Sequence, residues 1–92
     1  MKIERFVWVI LEEVPLQVWH AKFFESLGNS WGNFVRLDAS TINRSRLDAA
    51  RMLVRVSSSL NIPSSVSVVV RGSLHKIIVA GKTVWRSKKL KA

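Results

Sequence analysis

The sequence predicts an α+β domain in which one main helix packs on an antiparallel sheet of about five strands, in the order β-α-β-β-β-β. Three observations lead to this prediction. An apolar run of strand length covers residues 6–11. One amphipathic segment begins after Pro15, which is typical of a helix start, and ends at Gly28, which is typical of a helix end. After residue 48, apolar and polar side chains alternate in short runs separated by glycine turns, which is typical of strands.

The first strand and the helix follow each other closely. Residues 6–11 carry no charge and are rich in valine, isoleucine and aromatic residues, which is typical of a strand that is covered on both faces or lies at the sheet centre. Glu12 and Glu13 end this run. Because negative charge is favourable near a helix N-terminus, we expect both to serve the helix dipole rather than catalysis. The helix is predicted over residues 16–27, with a proline in its first turn and Gly28 at its end.

Aromatic residues concentrate in this first part of the chain. Residues 8–38 hold three of the four tryptophans and three of the four phenylalanines. On the predicted helix, Trp19, Phe23 and Leu27 are spaced i, i+4, i+8 and share one face, which Phe24 widens. Because burying each large aromatic contributes about 2–3 kcal/mol, we expect this face to anchor the domain.

The middle of the chain contains one ambiguous segment. A second strand is predicted over residues 33–38, followed by a polar connection in which Thr41 is a candidate cap for a helical turn over residues 42–46. In the next segment, propensity favours a helix through Met52. A period of two favours a strand over residues 49–57 instead. We predict the strand and keep the helix as the alternative.

The C-terminal third predicts an antiparallel meander. Residues 66–71 alternate as a strand, Gly72-Ser73 is a two-residue hairpin signal, and residues 74–80 form the next strand. Gly81-Lys82 repeats the turn signal, and residues 83–86 return. We therefore predict one domain over residues 1–86. Residues 87–92 form a basic tail with too few apolar side chains to pack, and we expect it to be disordered.

Composition narrows the classes of function. The net charge of +9 over 92 residues is above what solubility alone requires and favours an anionic partner. The charge alone does not separate RNA, DNA and anionic lipid. The absence of cysteine excludes disulfides and thiolate metal sites. No apolar run reaches the length of a membrane span, and the N-terminus does not resemble a signal peptide. The sequence does not indicate secretion, and it does not distinguish a nuclear from a cytoplasmic location.

Catalytic and metal sites are not predicted. His20 and His75 are far apart and lack the spacing of metal ligands, so each is interpreted as a structural or surface residue. The six acidic residues are too few for a carboxylate-based metal centre. Asp38 and Asp48 flank one loop, where such residues usually cap turns or pair with arginine. No nucleophile elbow or phosphate-binding glycine loop is present. We expect a non-enzymatic protein without a cofactor.

The basic residues predict a nucleic-acid surface. If the helix covers one face of the sheet, the arginines of the predicted strands alternate towards the other face. Arginine pairs with phosphate and stacks on bases, so such a face suits a single strand. The alternative is that these charges only prevent edge aggregation. No segment matches the aromatic signature of an RNA-recognition motif, and Trp85 is the one aromatic considered for stacking. The candidate nucleic-acid-binding residues are Arg36, Arg51, Arg55, Arg71, Lys88, Lys89 and Lys91.

Several short motifs occur in a recognisable order. They are Trp8-Val9, Pro15-Leu16, Trp19, Leu27-Gly28, Gly32, Phe34-Val35, Asp38, Thr41, Arg46-Leu47-Asp48, Ala50-Arg51, Val54 and Ile62-Pro63, with the strands at 66–70 and 77–80. In this order and spacing, to about residue 80, the chain resembles the plant-specific domain of unknown function found in proteins of LINE-type (non-LTR) retroelements. That domain typically lies upstream of a CCHC zinc knuckle. The resemblance implies a retroelement-derived module whose parent proteins handle RNA or cDNA.

The sequence also departs from that family pattern. Ile10 replaces the usual arginine and Glu13 the usual glycine. The zinc knuckle is missing, and the basic tail stands in its place. The longer N-terminal half of the family is also missing, so we expect an exposed strand edge that favours self-association.

The function predicted is sequence-tolerant binding of single-stranded RNA or DNA. The alternatives are a protein-interaction or self-association module, and a truncated retroelement remnant without activity of its own.

Overall fold

The fold is described by a computed structural model, which covers residues 4–57 and 62–84. The strands are β1 (Arg5–Glu12), β2 (Asn33–Leu37), β3 (Ala49–Val56), β4 (Ser65–Val70) and β5 (Ser73–Val84), and the helices are α1 (Ala21–Trp31) and the short α2 (Ala39–Ile42). The strands form one five-stranded antiparallel sheet in the order β2-β3-β1-β5-β4. The predicted α+β class is confirmed. The predicted tail, residues 87–92, lies outside the described residues.

β1 lies at the centre of the sheet, between β3 and β5. Alternate residues of β1, namely Val7, Val9 and Leu11, are buried on one face. Val54, Met52 and Ala50 of β3 lie directly opposite them and are fully buried as well. Because strand side chains alternate between faces, this pattern fixes the register of the sheet. It also leaves the other half of each strand on the opposite face.

α1 covers the buried face over β2 and β3. Its buried residues are Phe24, Gly28 and Trp31. The predicted helix end at Gly28 is wrong, because the helix continues to Trp31. A Cβ on Gly28 would lie 3.0 Å from Cδ1 of Phe34, so the glycine is needed for the close approach of β2. None of the helices in the described residues is long and apolar enough to cross a membrane.

The predicted start of the helix is also wrong. Leu16–Val18 form a 3₁₀ turn after Pro15, and α1 begins only at Ala21. His20 caps α1, because its Nδ1 accepts a hydrogen bond from the Phe23 N–H at 3.3 Å. The first turn of α1 contains no acidic residue. Glu12 and Glu13 are therefore not partners of the helix dipole.

Trp19 lies between the 3₁₀ turn and α1 rather than on the helix. It is 2% exposed, and its Nε1 donates to the Thr41 backbone oxygen at 3.2 Å. Its ring meets the Phe24 ring edge-on, with centroids 5.6 Å apart. Of the predicted aromatic stripe, Trp19 and Phe24 are buried, whereas Phe23 and Leu27 are partly buried. These aromatics do anchor the helical layer, although not as one helix face.

The chain between β2 and β3 differs from the prediction in the position and in the cap of its helical turn. The turn is α2, at Ala39–Ile42 instead of the predicted 42–46, and its cap is Asp38, whose carboxylate accepts from the Ser40 N–H and hydroxyl. The predicted cap, Thr41, is instead buried within α2. The ambiguous segment that follows is the strand β3, as the period of two predicted. Its alternate residues pack against the core, which outweighs local helix propensity.

The C-terminal hairpin is present, but its turn is shifted by one residue. Arg71 and Gly72 occupy the turn between β4 and β5, with φ of 52° and 81°. Positive φ at both central residues is typical of a type I′ turn. The second predicted turn, at Gly81-Lys82, is wrong because β5 continues through both residues to Val84. A Cβ on Gly81 would lie 3.2 Å from Cγ1 of Val7, so this glycine allows close packing of β5 on β1.

Candidate nucleic-acid interface

The sheet face opposite α1 carries cations and large apolar side chains in alternation. We call this the open face. Its central part consists of Phe6, Trp8 and Ile10 of β1, Arg51, Leu53 and Arg55 of β3, Arg36 of β2, and Ala80 and Lys82 of β5.

The strand register arranges these side chains in rows across the sheet. Trp8 lies opposite Leu53 on one side and Lys82 on the other, and Leu53 lies opposite Arg36. The row is therefore cation, leucine, tryptophan, cation, with strands about 4.8 Å apart. A neighbouring row pairs Phe6 with Arg55. Each aromatic ring of the open face thus has a cation beside it.

Arg36 shows how close the cations of the open face lie to its aromatic rings. Its guanidinium carbon lies 5.3 Å from the centre of the Trp8 ring, within the range of a cation–π interaction. Phe6, the second ring on β1, is 40% exposed. Two rings on one strand and arginines on the neighbouring strand are the groups that stack on bases and bind phosphates.

Arg55 is paired only weakly. Its Nε lies 3.5 Å from Oε1 of Glu4, and both side chains are roughly half exposed. Because exposed ion pairs of this kind contribute little, a phosphate can replace the glutamate at small cost. Arg55 is therefore available to an anionic ligand.

Arg51 is held in place through its backbone. Its N–H donates to Oγ1 of the buried Thr41 at 2.9 Å, and its carbonyl oxygen accepts from the Asp38 N–H at 3.0 Å. The Ser40 hydroxyl, as hydrogen-bond donor, lowers the pKa of Asp38, and the Arg51 charge lowers it further. The segment around α2 thus positions one arginine of the open face.

An acidic border closes the open face beside Arg51. Glu12, Asp38 and Asp48 line a cleft there together with Arg46. Arg46 donates two hydrogen bonds to Asp48, at 2.8 and 3.3 Å, which lower the pKa of the Asp48 carboxyl and raise the pKa of Arg46. Arg51 lines the cleft as well, so three carboxylates face two guanidinium groups and one formal negative charge remains at this end of the open face.

The structure brings together three of the seven predicted site residues, Arg36, Arg51 and Arg55. Arg71 does not join them, because it lies in the β4–β5 turn rather than on a strand. That turn is roughly 30 Å along β5 from Lys82, at about 3.3 Å per residue. The other three predicted residues, Lys88, Lys89 and Lys91, lie outside the described part of the chain.

Sequence reasoning missed the aromatic residues and Lys82. Of the two predictions for residues 6–11, a position at the sheet centre is confirmed, whereas cover on both faces is wrong because Phe6 is 40% exposed. Trp85, the one aromatic residue that the sequence offers for stacking, lies outside the described residues. The sequence does contain an indication that Phe6 and Trp8 face solvent. In a strand, both point to the same side as Glu4 and Glu12, because all four have even numbers. Glutamates in the same phase indicate a solvent-facing side, because charges are seldom buried unpaired.

No group of three or more His, Cys, Asp or Glu residues placed to hold a metal ion occurs in residues 4–57 and 62–84. His20 serves as the cap of α1, and His75 lies exposed on β5. No protein-family model matches the chain, and no curated protein or solved structure is significantly similar to it.

Proposed function

We propose that this chain is a non-enzymatic, retroelement-derived module that binds single-stranded RNA or DNA on the open face. The observation that carries the proposal is the alternation of aromatic and basic side chains across β1, β2 and β3. The retroelement origin rests on the motifs from Trp8 to the strand at 77–80, described above.

Single strands suit this surface better than a duplex. Bases stack on the Phe6 and Trp8 rings, which requires exposed base faces, while Arg36, Arg51 and Arg55 bind the phosphates. Aromatic stacking accepts every base, because each base has a π-face. The central part of the open face offers cations and hydrocarbon rather than paired donors and acceptors for base edges. Binding is therefore sequence-tolerant.

Two parts of the chain supply phosphate contacts. The first is the open face. The second is the basic tail with Lys88, Lys89 and Lys91, which adds three positive charges. Neutralising phosphates releases counterions, so affinity falls steeply with salt. The contribution of each part is separable because each can be altered alone.

The test is fluorescence anisotropy with labelled single-stranded RNA and DNA of about 20 nucleotides, titrated at several salt concentrations. The face variant is Arg51→Ala/Arg55→Ala. Its charge-matched control is Lys22→Ala/Arg71→Asn, which removes two cations from α1 and the hairpin turn. Asn is used in the turn because it tolerates positive φ. Circular dichroism checks that all variants are folded.

We expect the face variant to weaken binding at least tenfold, and the control to weaken it far less. The slope of log affinity against log salt falls by about 1.4 when two phosphate contacts to a single strand are lost. Equal losses in both variants would show that only net charge matters. Binding that is lost in a Lys88/Lys89/Lys91→Ala variant but unchanged in the face variant would assign binding to the tail. Affinity that does not depend on salt would overturn the proposal entirely.

A further inference from the structure

The outer edge of β4 lacks the features that normally protect a sheet edge. In residues 4–57 and 62–84, no strand pairs with that edge. β4 reads Ser-Val-Ser-Val-Val-Val, with no charge or proline, and its register with β5 is unbroken. The opposite edge strand, β2, has a register shift between Phe34 and Arg36 and carries a charge. Natural edges usually have such protection, so the β4 edge is suited to pairing.

The register identifies which backbone groups of β4 are free. The Val79 N–H donates to the Ser64 carbonyl oxygen at 2.9 Å, so these two residues form a hydrogen-bonded pair. In an antiparallel ladder such pairs recur at every second residue. The even-numbered residues of β4, Val66, Val68 and Val70, therefore bond to β5. The N–H and C=O groups of Ser65, Ser67 and Val69 point away from the sheet.

We propose that two copies of this chain pair antiparallel through β4, about a twofold axis that passes through Ser67. In this register Ser67 faces Ser67 of the second copy, and Ser65 faces Val69 of the second copy. All three outward N–H and C=O pairs of each copy are then hydrogen-bonded. Val66 faces Val68 of the second copy in a pair without hydrogen bonds, where side chains lie closest.

A second copy fits this edge because the strand is complementary to itself in that register. Val66, Val68 and Val70 of both copies lie on the helix side of the joined sheet. On the opposite side, Val69, which is 66% exposed in one copy, contacts Ser65 of the second copy. The charges lie far from the axis. Arg71 is four residues away from Ser67, which separates the two Arg71 residues by roughly 26 Å. The two Lys76 residues, each opposite its own Ser67, are about 14 Å apart. Both separations exceed the ~8 Å screening length at physiological salt.

The consequence is a continuous ten-stranded sheet, twice the five strands of one copy. Because the axis is perpendicular to the sheet, both open faces lie on the same side. The dimer therefore presents two open faces side by side, and its formation does not require nucleic acid. One strand pair is a small interface, so we expect dissociation constants of about 10–500 μM.

The test is sedimentation equilibrium of the full chain without nucleic acid, from about 5 to 500 μM at 0.3 M salt, which screens the net charge. We expect the mass to rise from 10.4 kDa towards twice that value. Ser67→Lys places two lysines at the axis and is expected to stay monomeric at every concentration. Ser26→Lys, an equal change on the exposed side of α1, is expected to associate like the original chain.

A second variant tests the register directly. Because the chain has no cysteine, Ser67→Cys introduces a single thiol at the axis. Hydrogen-bonded partners have Cα atoms about 5.5 Å apart, a separation that a short bismaleimide reagent spans. We expect this reagent to link Ser67→Cys into a dimer at least tenfold faster than Ser26→Cys. A monomeric original chain at 500 μM, equal association of Ser67→Lys, or equal cross-linking rates would each overturn the proposal. None of these measurements involves nucleic acid, so their outcome is independent of the proposed binding function.

Discussion

The Arg36 guanidinium lies 5.3 Å from the centre of the Trp8 ring, although the two residues belong to strands separated by β3. Arg36 reaches over Leu53, which lies opposite both residues. The contact holds a cation against an aromatic face in the middle of the open face. A base that stacks on this face of Trp8 takes the place of the guanidinium, which is then free to bind a neighbouring phosphate.

The first prediction concerns Trp8. Replacing Trp8 with Ala removes the central ring of the open face. Since stacking on an aromatic side chain contributes about 1–3 kcal/mol per base, affinity for single-stranded RNA should fall roughly 5- to 150-fold. Trp8→Phe keeps a ring and should retain most of the affinity. Anisotropy titrations measure both.

The control for Trp8 is Ile42→Ala. Ile42 is 65% exposed and lies beside His20 and Phe24 on the helix side, away from the open face. Its truncation should leave affinity within twofold of the original chain. Equal losses in Trp8→Ala and Ile42→Ala would contradict a stacking role for Trp8.

The sequence predicted the strands better than the helix, and the reason is physical. β3 was identified by its period of two, which a half-buried strand must have. The bounds of α1 depend on distant contacts instead. Trp19 is held outside the helix by a hydrogen bond to Thr41, 22 residues away. Gly28 looks like a helix stop, but it lies inside the helix because Phe34 needs the space that a Cβ would fill. Neither contact leaves a local signal.

The candidate site was predicted in part for a similar reason. Arg51 and Arg55 were placed correctly because alternation along a strand fixes the face. Arg71 was misplaced because the hairpin turn begins one residue earlier than predicted, which ends β4 at Val70. Trp8 was missed because a run of apolar residues does not reveal which half of them faces solvent. Only the register of β1 against β3 decides that.

The second prediction concerns the buried hydroxyl of Thr41. Thr41 is 2% exposed, and its Oγ1 accepts a hydrogen bond from the Arg51 N–H at 2.9 Å. Thr41→Val keeps the shape but leaves that N–H without a partner, so the free energy of unfolding should fall by about 1–3 kcal/mol. Thr41→Ser keeps the hydroxyl and should cost about 1 kcal/mol for the lost methyl group. Urea denaturation at pH 7 measures both changes. A valine variant that is as stable as the original chain would show that the hydrogen bond contributes nothing.

The third prediction concerns Gly32, which lies between α1 and β2. Its φ of 175° is open to any residue, so glycine is not required there by backbone conformation. A Cβ, however, would lie 2.4 Å from the Arg55 carbonyl oxygen and 2.8 Å from Cγ1 of Val56. Gly32→Ala must therefore push α1 and β2 away from β3. We expect a loss of about 1–3 kcal/mol, which lowers Tm by roughly 5–20 °C in a chain of this size.

The matched change for Gly32 is Gly72→Asn in the hairpin turn. A Cβ on Gly72 meets nothing within 4 Å, and asparagine tolerates the positive φ of 81°. Its Tm should change by only a few degrees, as measured by circular dichroism. If Gly32→Ala melted no lower than Gly72→Asn, the close contact with β3 would have no energetic importance.

The fourth prediction is a pH dependence that comes from Asp38. Hydrogen bonds from Ser40, together with the Arg51 charge, hold the pKa of the Asp38 carboxyl below its ordinary value of 3.8. The folded protein therefore prefers the ionised form. The stability that this carboxylate contributes is fully present above about pH 4 and is lost as the pH falls through the lowered pKa.

Asp38→Asn tests this sign. The amide keeps an acceptor for the Ser40 N–H but has no charge to lose. At pH 7 the variant should be less stable than the original chain, because the charge-assisted cap of α2 is gone. As the pH is lowered from 5 to 2, the original chain loses the contribution of its carboxylate and the variant does not, so the two should converge. Urea denaturation midpoints at each pH measure the difference. A difference that stays constant or widens towards pH 2 would contradict the role assigned to the Asp38 carboxylate, because only an ionised cap is removed by acid.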